Sequence, residues 1–67
     1  MLEDRLNNFI DQAKLVLGFD EYLEFLDSMY LIYRVCFIDK AELYQLHIAM
    51  RCYNEAGEIR EAQQNAI

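Results

Sequence analysis

Proline is absent from this chain of 67 residues, tryptophan is absent, and glycine occurs only twice. Strand-rich folds need many turns, and turns draw on glycine and proline, so their scarcity argues against an all-β domain and against long loops. Helices are the default. Basic residues are also few, six Lys and Arg against twelve Asp and Glu, a formal net charge of −6. Phosphate contact needs clustered cations, so direct nucleic-acid binding is not expected. The longest apolar run, Met29 to Ile38, is ten residues interrupted by Arg34, about half of what spans a bilayer. The opening MLEDRLNN is charged and amphipathic rather than basic then apolar, so no signal peptide is read and a soluble, cytoplasmic protein is expected.

Chemistry-bearing residues are equally sparse. Cys36 and Cys52 stand 16 residues apart, about 24 Å on one continuous helix. With a turn near Ile38, Cys52 still lies about 20 Å along the returning helix. A disulfide needs Cα atoms within about 7 Å, so both cysteines read as buried free thiols. His47 is the only histidine; Cys52 at i+5 is off its face, and Arg51 at i+4 is a solvated neighbour. A nucleophile and its base must share hydrogen-bond reach, and nothing here places them so. A metal site from His47, Cys36 and Cys52 fails on the same distances. No catalytic, cofactor or metal residue is assigned, and no enzyme is expected; His47 reads as a partly buried bundle residue. Asp20, Glu21, Glu24 and Asp27 read as a solvated stripe.

What the chain does have is apolar bulk. Hydrophobic residues make up 55% of it, although so small a domain buries only about 60% of its unfolded surface. The excess points to apolar area reserved for another chain. Leu2, Leu6, Phe9, Ile10, Ala13, Val16 and Leu17 repeat at helical spacing, predicting an amphipathic helix over about 2–17. Glu3 and Asp4 fall in its first turn and Gly18 is placed to cap its end. A second helix is predicted over 20–37. Its apolar arc, from Tyr22, Phe25, Met29, Tyr33 and Cys36 through Leu23, Leu26, Tyr30 and Phe37, is far wider than a surface helix needs. That helix is expected to be central in the bundle, sandwiched against a second molecule, or both.

Asp39 and Glu42 have the spacing of a capping box, with Ile38 and Leu43 as its hydrophobic staple. A third helix is therefore predicted over 40–56, antiparallel to the second across a short turn. It carries Leu43, Leu46, His47, Met50 and Tyr53 on one face, with Ile48 and Ala49 beside it. Continued unbroken, it would place Ile59 about 180° from Met50. Gly57 at this phase change suggests a second turn and a short fourth helix over 58–66, with a bent continuation as the alternative.

Two families share local features with this pattern. The stretch CYNEAGEIREA resembles the middle of a tetratricopeptide repeat, over residues 44–67. Tyr53, Gly57, Ile59 and Ala62 match that repeat's aromatic, turn glycine, large apolar and packing alanine, whereas Met50 and Leu46 occupy its early glycine and aromatic positions. No second copy lies 34 residues upstream. The chain is also similar to the small two-helix co-chaperones of type III secretion needle subunits, through Leu2, Glu3 and Leu6 and through Asp39, Tyr44, Gln45 and Leu46. Either resemblance implies a helical hairpin that binds another protein.

The expectation is an all-α domain over 1–67, a small antiparallel helical hairpin or bundle of three helices with a short fourth, oligomeric. Its expected work is protein–protein interaction, as an adaptor or co-chaperone that presents an apolar helical surface to a protein partner or a second copy. Tyr30, Leu31, Tyr33, Phe37 and Ile59 are the candidate interface residues. The alternative is an acidic inhibitor, antitoxin-like or a nucleic-acid mimic, that blocks a basic partner.

Overall fold

The computed structural model describes residues 2–34 and 42–65. They form three α-helices, α1 (Leu2–Val16), α2 (Phe19–Arg34) and α3 (Leu43–Asn65), and no strand occurs among the described residues. Glu3, Asn7 and Asp11 of α1 meet His47 and Arg51 of α3, so these two helices run parallel. Tyr22 shares a cleft with Ile59, while Tyr30 lies against Tyr53, so α2 runs antiparallel to α3. The helix with neighbours on both sides is α3, which packs closely along α2 and more lightly along α1. The expectation that α2 is the central rod is corrected: it leaves Leu31 and Ile32 exposed.

Charges support the first two helices where the dipole favours them. Glu3 and Asp4 open α1 and Lys14 closes it; Asp20 and Glu21 open α2 and Arg34 closes it. Gly18 does not cap α1 in a left-handed conformation, since no described residue has positive φ. Its carbonyl instead accepts from the Tyr22 N–H at 2.8 Å, starting α2. At the start of α3, the Glu42 N–H donates to Gln45 Oε1 at 3.0 Å, and the Gln45 N–H donates to the Glu42 carbonyl, also at 3.0 Å. A glutamine reaching back to the N-cap amide is half of a capping box, three residues later than expected. The helix begins at Leu43 rather than Lys40. Asp39, Ile38, Cys36 and Phe37 lie outside the described residues.

The fourth helix is also corrected, because α3 runs unbroken through Gly57 to Asn65. The reason lies in which face is buried. Ile48, Ala49, Cys52 and Ala56 are the buried residues of α3, with Ile59 partly buried against the same cluster. At 100° per residue, Ile48, Cys52, Ala56 and Ile59 fall within about 80° of one another. Ile59 is therefore in phase with the true core face, and no turn is needed to bring it in. Gly57 is then a helix-interior glycine, exposed, and a Cβ added there meets nothing within 4 Å. Gly57→Ala is expected to raise stability by about 1 kcal/mol, read as a shift in the urea midpoint. A loss of stability would show that the backbone turns at this position.

Ile10 from α1 and Tyr22, Leu26 and Met29 from α2 complete the core. Among the described residues, no polar or charged residue is buried, and no buried side-chain nitrogen or oxygen lacks a partner. No described helix is long and apolar enough to cross a membrane.

Candidate interaction surface

α3 carries two rows of apolar residues, and the fold buries only the smaller one. Alanine and cysteine at 49, 52 and 56 let α2 approach closely, which dispersion rewards across many short contacts. The bulkier row is Leu43, Leu46, Met50 and Tyr53, about 140° around the helix axis. These residues are 66%, 38%, 46% and 59% exposed. They recur at intervals of three and four, the a/d spacing of a helix that packs against another helix. This stripe is the apolar face that the sequence predicts for the third helix, and the structure turns it outward.

Tyr30 extends the row onto α2. Its ring lies 5.4 Å from that of Tyr53, and the Arg34 guanidinium sits 5.9 Å above its centre, within cation–π range. Beside this pair, Asp27, Tyr30, Tyr53, Ala56, Gly57 and Arg60 line a groove of about 280 Å³. Charge sets the area apart as well. Of the chain's twelve acidic residues, none lies in 28–34 or in 43–54, the two stretches that Tyr30 and Tyr53 bring together.

A polar rim flanks the core on the other side of α3. Arg51 Nη1 donates to the Asn7 carbonyl at 3.1 Å and to Asn7 Oδ1 at 2.8 Å. Its Nη2 pairs with Asp11 and lies 3.6 Å from Glu55 Oε1. Glu55 Oε2 accepts from the Tyr22 hydroxyl at 2.8 Å. One arginine and one glutamate thus link all three helices. Burial, reinforced by the bond to Glu55, holds the Tyr22 hydroxyl well above the usual phenol range. Burial, with Glu55 adding to it and Arg51 opposing, pushes the Cys52 thiol up to about 11. Cys52 is buried and free, as expected. His47 is exposed rather than partly buried, and its Nδ1 lies 2.6 Å from Glu3 Oε1 across α1 and α3. Asp27 pairs with Arg60 across α2 and α3.

Of the four sequence-derived interface candidates among the described residues, Tyr30 alone borders the outward row, and it too is partly buried against the core cluster. Leu31 is half exposed on α2, whereas Tyr33 and Ile59 pack against the core cluster and Ile59 also lines the cleft beside Tyr22. A second apolar patch lies between α1 and α2, where the Phe9 and Phe25 rings meet edge to face at 5.5 Å beside Ala13, Val16 and Leu17. Compared with protein-family models, with curated proteins and with solved structures, the chain matches none.

Proposed function

We propose that this chain is a protein–protein interaction module of the adaptor or co-chaperone type, acting by binding rather than by catalysis, through an apolar helical surface. One observation carries the reading. Among the described residues, eleven large hydrophobic side chains are exposed, while the buried core has eight hydrophobic residues. Scattered apolar residues on a surface need no explanation, but contiguous ones mark interaction sites. Leu43, Leu46, Met50 and Tyr53 are contiguous, helical in spacing and joined to Tyr30. This is the form in which a helix recognises another helix through anchors at i, i+3 and i+7.

The competing reading is an acidic inhibitor working through Asp20, Glu21 and Glu24, all exposed on α2. Salt separates the two, since screening weakens contacts between exposed charges and spares apolar burial. A pull-down from the native cell should retain its partner at about 1 M salt, where the Debye length falls to about 3 Å, and lose it when Met50→Glu is the bait. A partner held by Met50→Glu and released by salt would sink the apolar reading in favour of the acidic face.

A further inference from the structure

We infer that the outward row of α3 pairs with the same row of a second copy, antiparallel, across a twofold axis at Met50. This rests on the apolar-surface reading above and names its occupant. Two observations single out a second copy, and a third sets the strength of the pairing.

The first is shape. A twofold interface requires a surface complementary to itself. The row ends in a projecting Leu43 and, fourteen residues on, in Gly57, whose missing side chain leaves open space beside the groove of Tyr30 and Tyr53. With Met50 against Met50, residue numbers on facing helices sum to about 100. Leu43 then enters the recess at Gly57, and Leu46 meets the Tyr53–Asn54 turn. The knob at one end fits the hole at the other, as coiled-coil packing requires.

The second is charge. Two copies each bearing −6 repel, yet 43–54 and 28–34 contain no acid. In this pairing His47 lies opposite Tyr53, so the middle of the contact brings no two carboxylates together. Acids meet only at its ends, where Glu42 approaches Glu58 and Asp27, and Asp27 is already paired with Arg60. The acid-free region is where a like-charged copy approaches with least opposition.

The third is area. The four side chains and Tyr30, at about 150–250 Å² for a full large side chain, offer about 400–500 Å² per copy. Two copies together bury about 900 Å², short of the roughly 1,200–2,000 Å² of a lasting interface. The dimer is therefore weak and concentration-dependent, with half-association on the order of 0.1 mM.

Sedimentation equilibrium on the purified full chain tests this. The wild-type weight-average mass should climb toward twice that of one chain over about 0.01–1 mM, the span around that midpoint. Met50→Glu and Met50→Lys, both at an exposed position, should keep wild-type circular dichroism and stay monomeric. Mixed in equal amounts, they should associate at least tenfold more strongly than either alone, because only a twofold axis at Met50 places the two substituted positions face to face. Gly57→Leu should fold normally and associate about tenfold more weakly. A wild type monomeric across the range overturns the self-pairing while leaving the apolar surface to be judged by its partner. Association that survives both charged variants, or a mixture no stronger than its components, overturns the axis.

Discussion

Ile48→Ala should remove about 3 kcal/mol of folding stability, whereas Met50→Ala, two residues along the same helix, should change it by less than about 0.5 kcal/mol. Ile48 is completely buried, in one cluster with Leu26 and Cys52. Cutting it to alanine loses its transfer free energy and leaves a cavity that helices pinned on both sides of α3 cannot close. A domain of this size holds only about 3–10 kcal/mol in total, so the loss is a third or more of its stability and the urea midpoint should fall sharply. Met50 is nearly half exposed on the opposite row, and its truncation empties nothing. Urea unfolding followed by far-UV circular dichroism, at a low concentration where only single chains are present, reads both. Equal losses at the two positions would show that the bulky row is buried and the assignment of faces reversed.

Stability should also fall in alkali, between about pH 9 and 11. Burial first, and then the Glu55 carboxylate, keep the Cys52 thiol neutral up to about 11, against 9.0 in an open chain, with Arg51 opposing. A thiol whose folded-state pKa is raised contributes its full stabilisation below the unfolded value and loses it as pH rises through the folded one. Two units correspond to about 2–3 kcal/mol. Tyr22 is shifted in the same direction by burial and by Glu55, so it adds a loss that begins near its ordinary phenol range and continues upward. Cys52→Ala separates the two. The stability difference between wild type and variant should narrow by about 2–3 kcal/mol across this window, leaving the tyrosine's share in both. A constant difference from neutral pH to pH 11 would mean that the thiolate forms without cost and that Cys52 is open to water.

The class of the fold was legible because it follows from counts and periods. A chain without proline, with two glycines and with apolar residues at helical intervals has few alternatives to packed helices. The α1 face was partly right: Ile10 is buried and Leu6, Ala13 and Leu17 pack against the core, but Leu2, Phe9 and Val16 are exposed. For α3 the buried row differs from the conspicuous one, and for a physical reason. A sequence pattern draws the eye to bulk, so Leu43, Leu46, Met50 and Tyr53 stand out over Ala49, Cys52 and Ala56, which are small yet among the residue types most often buried. Close helix packing rewards small residues that let backbones approach. The turn expected at Gly57 is absent for the same reason, because Ile59 is out of phase only with the bulky row. The polar rim was not legible at all. Asn7 and Arg51, or Tyr22 and Glu55, are separated by 44 and 33 positions, and nothing local marks them as partners.

Those same hydrogen bonds decide something the apolar residues leave open. A helix greasy on two sides could seat itself either way up, and a half-turn roll of α3 would trade one hydrophobic filling for a larger one. The roll would tear Arg51 from Asn7 and Asp11 and Glu55 from Tyr22, stranding charges against a sealed joint. The rim thus serves as a key in a lock barrel: it adds little to the tightness of the fit and settles which orientation the rod can take.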